Sequence, residues 1–298
     1  VMLELDNVTK TYRGGRRAVD GLTLRLGTGL LGLLGPNGAG KSTLMRIAAT
    51  VTRPTSGTVR YRGVDAVAHP DPLRRVLGYL PQEFGAYPNL SAREFLSYLA
   101  AIRGMPARTA RARIEELLEL VNLADAGRRP LGGYSGGMLR RVGIAQALLA
   151  DPRVLIVDEP TVGLDPEERI RFRSLLGDLA ADRTVVLSTH IVSDVESVAA
   201  DLAVVVRGRL VHRGSPETLR QRAAGRVWQV TAAPQEAAAL QRRFPVSRVV
   251  HTGDGVRMRL VADGPPHRDA RPCAPDLEDA YLALVRDAAA RPGEGERR

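Results

Sequence analysis

One stretch of nine residues limits the possible fold more than any other: Gly35-Pro36-Asn37-Gly38-Ala39-Gly40-Lys41-Ser42-Thr43. It fits the pattern G-x-x-x-x-G-K-[ST] in the context that gives the pattern meaning. The apolar run of residues 30–34 precedes it, and a helical pattern over residues 44–49 follows. Glycines there let backbone N–H groups turn inward around phosphate oxygens, and the helix N-terminus adds partial positive charge. Lys41 is placed to reach the β- and γ-phosphates of a nucleoside triphosphate, and Ser42 to hold Mg²⁺.

A second segment supplies the complementary chemistry. Val154-Leu155-Ile156-Val157-Asp158-Glu159-Pro160 reads as an apolar strand ending in two carboxylates. Alone, such a pair reads as a helix cap or a solvated turn. Downstream of a phosphate loop it reads differently. Asp158 can enter the Mg²⁺ shell, and Glu159 can orient or deprotonate the attacking water. Between the two segments lie Gln82, in Tyr79-Leu80-Pro81-Gln82-Glu83, and Tyr134-Ser135-Gly136-Gly137-Met138 at the head of a helical run. A serine and two glycines opening a helix make another N-terminus suited to anions.

The remaining pattern is that of an α/β chain. Residues 3–8 and 22–26 alternate apolar and polar positions, as strands with one buried face do. The continuous apolar runs 30–34, 154–157, 185–187 and 203–206 read as strands buried on both faces. Helical stretches between them predict a largely parallel sheet. Residues 91–125 interrupt the alternation with a helical pattern that includes Ile114, Leu117, Leu118 and Val121. A second piece begins near Gly225, with a strand over 226–231, a helix over 235–243 and a hairpin over 246–259 turning at Thr252-Gly253-Asp254-Gly255. A proline-rich linker, 264–275, leads to a helix over 277–286. The expected organisation is a nucleotide-binding domain over 1–220 (helical part about 88–133), a small α+β C-terminal accessory domain over 225–290 and a disordered tail, 291–298.

Composition removes several classes of function. At 298 residues and 44% hydrophobic content the chain is expected to fold. No 18 consecutive residues are apolar, and Glu4, Asp6 and Asn7 stand where a signal peptide needs an apolar core. The lone Cys273 cannot form an internal disulfide, which fits a reducing, intracellular setting. The formal net charge is +10, and only Lys10 and Lys41 are lysines. With no run of five like charges and no aromatic residues interleaving a basic patch, direct nucleic-acid binding is not expected.

The order of these motifs resembles the nucleotide-binding subunit of an ABC transporter over about residues 3–220. The resemblance implies a P-loop NTPase fold of the ABC ATPase type: a mixed, largely parallel sheet core, an N-terminal antiparallel β part and a helical subdomain. It also implies ATP hydrolysis, with ATP and Mg²⁺ bound. Tyr12 resembles the aromatic residue that stacks on adenine, and Gln82 the residue that contacts Mg²⁺ and water and responds to the membrane partner. Ser135, Gly136 and Gly137 fall in the signature motif, which in the family closes on the γ-phosphate held by the opposite subunit. Asp165, in Gly163-Leu164-Asp165-Pro166, resembles the D-loop aspartate and is also placed to cap a helix starting at Pro166. His190 resembles the switch histidine that bonds the γ-phosphate. Catalysis is thereby assigned to Glu159, His190, Gln82 and Lys41. The metal shell falls to Ser42, Gln82 and Asp158. Nucleotide contacts fall to Tyr12, residues 35–43, Ser135, Gly136, Gly137 and Asp165.

Tyr134 and Met138 stand where the commonest signature has Leu and Gln. That variant is similar to daunorubicin-resistance-type exporter ATPases, as are Pro81-Gln82-Glu83-Phe84-Gly85, Tyr87-Pro88-Asn89-Leu90 and Pro275-Asp276-Leu277-Glu278-Asp279-Ala280-Tyr281-Leu282. With Lys41 serving the only P-loop, a signature that must meet a P-loop across an interface requires a second chain. The resemblance thus implies a homodimer, a separate transmembrane permease and a peripheral place on the cytoplasmic face of the membrane. Residues 91–129, with 82–88, are expected to face the permease. Phe84, Tyr87 and Phe95 are either its anchors or ordinary core. An importer ATPase, or an ABC ATPase acting on DNA or ribosomes, stays open at this point.

Overall fold

The computed structural model describes residues 2–290. The tail read from the sequence as disordered, 291–298, lies outside the described residues. The chain opens with two antiparallel strands, β1 (Leu3–Thr11) and β2 (Arg17–Leu26), then β3 (Gly29–Leu34) and helix α1 (Lys41–Ala48). After β4 (Ser56–Tyr61), β5 (Val64–Asp65) and the short α2 (Asp71–Arg74), strand β6 (Leu77–Leu80) leads to α3 (Ala92–Ile102) and α4 (Ala107–Leu120). Helix α5 (Gly136–Leu148), β7 (Val154–Asp158), α6 (Pro166–Leu179), β8 (Thr184–Thr189), α7 (Val192–Glu196), β9 (Asp201–Val206), β10 (Arg209–Gly214) and α8 (Pro216–Gln221) complete the first unit.

Two sheets organise it. Strands β2-β1-β4-β5 form an antiparallel sheet, and β10-β9-β3-β8-β7-β6 a six-stranded one in which only β10 runs antiparallel to its neighbour. Alternate residues of the central strands serve two cores, as the period of two requires. Leu31, Leu33, Ile156 and Val186 face α1 and the antiparallel sheet, while Leu34, Leu155, Val157 and Leu187 face the helices. Register then decides where the site can be. Leu34 pairs with Thr189, Ser188 with Asp158, and Val157 with Leu80. The loops leaving β3, β6, β7 and β8 therefore emerge together at the carboxyl edge of the sheet, where open α/β sheets hold their ligands.

Helices α3 and α4 form the helical part. A reciprocal capping box, Ser91 with Glu94, starts α3, and Arg93 grips Glu115 of α4 through Nε at 2.7 Å and Nη2 at 2.6 Å. Phe95, 3% exposed, belongs to the core, and Phe84 packs partly buried against it. Tyr87 is 56% exposed, and with Tyr98 and Ile102 it forms the open apolar surface of this region. Burying a side chain such as Phe95 contributes about 1.5–3 kcal/mol.

The C-terminal piece contains β11 (Val227–Ala232), α9 (Pro234–Arg243), β12 (Val246–Thr252), β13 (Gly255–Val261), β14 (Arg271–Pro272) and α10 (Leu277–Ala290), with sheet order β12-β13-β11-β14. Val230, Met258, Leu260 and Leu240 make its own small core. Helix α10 does not stay with that core. Leu277, Ala280, Tyr281 and Ala283 join the large core of the first unit, where α10 packs against α7 and α8.

Candidate functional site

The site begins where β3 ends. Gly40 is the N-cap of α1 with φ +101°, and a Cβ there would lie 2.0 Å from the Ala18 carbonyl oxygen. Only glycine can make this turn, which aims the first N–H groups of α1 at the space above the loop. Lys41 is 6% exposed, and its Nζ donates to the Gly35 carbonyl at 2.6 Å. Burial pushes the ammonium pKa down, and the carboxylates of Glu159 and Asp158 push it back up. Ser42 Oγ donates to Gln82 Oε1 at 3.2 Å, so the loop after β6 reaches the first turn of α1. The hydroxyls of Tyr12 and Thr43 lie 3.3 Å apart, which places the Tyr12 ring beside the same turn.

Asp158 closes β7 with its side chain 1% exposed, and neither carboxylate oxygen has a hydrogen-bond partner. An orphaned buried carboxylate is costly unless a cation or ordered water completes it. Asp158, the Ser42 hydroxyl and Gln82 Oε1 form an all-oxygen donor set of the kind Mg²⁺ takes when substrate phosphates supply further ligands. No cluster of three His, Cys, Asp or Glu side chains able to hold a metal occurs among the described residues.

Glu159 follows at φ +51°, a left-handed conformation that costs a non-glycine residue about 1–3 kcal/mol. Its amide donates to the Ser188 carbonyl at 2.9 Å, and its side chain is 4% exposed. One carboxylate oxygen stands 2.8 Å from His190 Nδ1 and the other 3.6 Å from Lys41 Nζ. Lys41, Gln82, Asp158, Glu159 and His190 thus come together, from four loops. The acidic site also extends its field to α10: burial pushes the Tyr281 phenol up to about 12, and Glu159 adds to the rise.

The signature residues and Asp165 sit at the heads of two other helices. Ser135 caps α5, accepting from the Met138 amide at 3.2 Å, and a Cβ on Gly137 would lie 3.0 Å from the Gly163 carbonyl. Asp165 caps α6 by accepting from the Glu168 amide at 2.9 Å. Among the described residues, no hydrogen bond links Ser135, Gly136, Gly137 or Asp165 to residues 35–43.

Two residues that the sequence reading passed over connect the parts. Arg140, 7% exposed, donates to the carbonyls of Pro81, Gln82, Asp158, Glu159 and Pro160. Its signal was available: Arg140 shares a helical stripe with the buried Gly143, Ile144, Ala147 and Leu148, and a charge on such a stripe needs a reason. Asp194, fully buried, accepts from Thr161 Oγ1 at 2.5 Å and Thr189 Oγ1 at 3.4 Å. It thereby ties the loop after Glu159 to the turn that carries His190. Nothing local in the sequence marks it.

This fold and this arrangement of side chains define a class, the P-loop nucleotide hydrolases. The family model described as "ABC transporter" matches residues 19–162. A Bacillus subtilis protein described as an uncharacterized ABC transporter ATP-binding protein, YxlF, is 34% identical, with 95% of this chain and 99% of that protein covered. The daunorubicin resistance ATP-binding protein DrrA3 of Streptomyces coeruleorubidus is 35% identical, with 96% of each covered. Among solved structures, the dimeric post-hydrolysis state of the ATP-binding cassette MJ0796 bound to ADP and Pi superposes with a TM-score of 0.67. It is 27% identical, and 72% of this chain and 98% of that chain are covered. The chain belongs to the ABC transporter ATP-binding family, and it binds and hydrolyses ATP.

Proposed function

We propose that this chain is the ATPase subunit of an exporter of drug-like or other hydrophobic compounds, working as a homodimer on a separate membrane permease. One observation carries the reading: Glu159 lies between Lys41 and His190 at the mouth of the loop made by residues 35–40. That is the placement of a base beside the groups that hold a γ-phosphate. Lys41 and the N–H groups at the head of α1 bind the phosphates, and Tyr12 stacks on the adenine. Gln82 and Glu159 orient the attacking water, Glu159 takes its proton, and His190 steadies both Glu159 and the γ-phosphate. Mg²⁺, held by Ser42, Asp158 and Gln82, supplies charge neutralisation on the phosphate oxygens when bound.

Ser135, Gly136, Gly137 and Asp165 serve the nucleotide of the second chain. The dimeric assembly of the similar cassette supports this. The permease docks on Tyr87, Tyr98 and Ile102, the exposed apolar surface beside the Gln82 loop. No helix among the described residues is long and apolar enough to cross a membrane, in keeping with a peripheral subunit on the cytoplasmic face. The direction of transport rests on the similarity to the daunorubicin resistance protein.

The test is co-purification of tagged Glu159→Gln chain with MgATP from detergent-solubilised membranes. Near-stoichiometric recovery of one polytopic membrane protein, lost in a Tyr87→Asp/Tyr98→Asp variant, supports the reading. Recovery of only ribosomes or DNA from the aqueous fraction overturns it.

A further inference from the structure

We propose that Arg140 is a positioning residue for hydrolysis. It locks the Gln82 loop and the Glu159 turn to the helix that carries the signature motif. The inference rests on the roles of Glu159 and Gln82 given above.

A guanidinium has five N–H donors, and here each has a carbonyl partner. Nη1 donates to Pro81 at 2.7 Å and Gln82 at 2.9 Å, Nη2 to Asp158 at 2.5 Å and Glu159 at 2.6 Å, and Nε to Pro160 at 3.3 Å. The acceptors come from two segments far apart in sequence, the end of β6 and the end of β7. Beyond the Glu159 amide, which still donates to Ser188 of β8, both segments leave their strands as irregular backbone. Both also carry a side chain that reaches the phosphate loop, Gln82 to Ser42 and Glu159 to Lys41.

Burying a guanidinium is costly, and here the nearby Asp158 and Glu159 carboxylates offset only part of that cost, since burial still holds its pKa below the usual arginine value. The arrangement calls for a compensating purpose, and the strained Glu159 turn supplies one. Left-handed at φ +51°, it persists only where its surroundings over-determine it, and three consecutive carbonyls, 158 to 160, are clasped by this one side chain. Arg140 also lies one helical turn after Gly136 and Gly137 on α5, the helix that Ser135 caps. A displacement of the signature end of α5 is therefore transmitted as a rigid movement to the backbone behind Glu159 and Gln82. Lysine cannot replace arginine here. Its three donors radiate from one atom, and it lacks the planar fork that spans both segments.

The test compares Arg140→Lys and Arg140→Met with wild type and with Glu159→Gln, measuring kcat, ATP affinity by fluorescent-nucleotide titration, and thermal melting. Both Arg140 variants are expected to lose about 10- to 100-fold in kcat, the effect of misplaced catalytic groups, while ATP affinity stays within about threefold. The Arg140→Lys/Glu159→Gln double variant is expected to turn over no more slowly than Glu159→Gln alone, because both act on one step. Unchanged kcat in Arg140→Lys and Arg140→Met, or equal losses of kcat and ATP affinity in both, overturns the inference. So does full additivity with Glu159→Gln. If Glu159→Gln itself turns over normally, the assignment of Glu159 falls and the Arg140 inference with it. If Glu159→Gln is inactive while both Arg140 variants keep kcat, only the Arg140 inference falls.

Discussion

Glu159 and His190 are joined by one hydrogen bond, 2.8 Å from Oε2 to Nδ1, although they leave different strands. The pairing follows from sheet register: Asp158 stands opposite Ser188, which sets the residues just beyond each strand end side by side. The free oxygen of Glu159 faces Lys41 at 3.6 Å. One carboxylate thus reaches both Lys41 and His190.

Glu159→Gln keeps the size and most of the polarity of the side chain but removes the base. ATP binding is expected to persist while turnover falls by about 10²–10⁴, the worth of a general base. Phosphate release beside a fluorescent-nucleotide titration separates the two, and near-normal release removes Glu159 from its role.

Gly40 and Gly38 both have positive φ, +101° and +78°, but only Gly40 would drive a Cβ into backbone, while Gly38 faces open space. Gly40→Ala is therefore expected to distort the loop and weaken ATP binding more than about tenfold. Gly38→Ala should cost only left-handed strain, about 1–2 kcal/mol. Titration and thermal melting of the two variants distinguish the effects, and equal behaviour refutes the distinction.

Tyr12 contributes its ring rather than its hydroxyl if it stacks on adenine. Tyr12→Ala is expected to weaken ATP about 2- to 10-fold, the value of an aromatic contact, and Tyr12→Phe to restore binding. A Tyr12→Phe variant as weak as Tyr12→Ala would assign the effect to the hydroxyl contact with Thr43 instead.

Asp279, fully buried, accepts from Arg259, Ser247 and the Asp276 amide, and fastens α10 to β12 and β13. Burial alone would raise its pKa. The hydrogen bonds from Arg259, Ser247 and the amide outweigh burial and hold it below the ordinary 3.8. A depressed carboxylate adds stability that is complete above its unfolded pKa and disappears as pH falls through the lower folded value. Asp279→Asn is expected to cost about 3 kcal/mol at neutral pH, with the difference from wild type closing only well below pH 4. Denaturant melts across pH test this, and a pH-independent difference contradicts it.

The phosphate loop and the acidic strand end were legible because each is a short local pattern tied to a strongly apolar strand, whereas Gln82 and His190 were legible only through the family resemblance. Strands β4, β6 and β10 were not legible. Polar residues interrupt β4, β6 has only four residues, and β10 is an edge strand bearing Arg209, His212 and Arg213. The return of α10 to the large core was equally hidden, since an amphipathic helix carries no label for the surface it will cover. Phe84, Tyr87 and Phe95 looked alike in sequence, and only packing separates the buried Phe95 from the exposed Tyr87. Arg140 and Asp194 act through carbonyls and hydroxyls remote in sequence, a relation that no local spacing encodes.

One chain brings Lys41, Glu159 and His190 together, and the proposed function gives Ser135, Gly136 and Gly137 to the nucleotide of a second chain. Light scattering of purified Glu159→Gln chain, with and without MgATP, tests this most directly. The expected result is a shift from one chain to two on adding MgATP, with one nucleotide retained per chain and no shift in a Lys41→Ala variant. A single chain at saturating MgATP would contradict it.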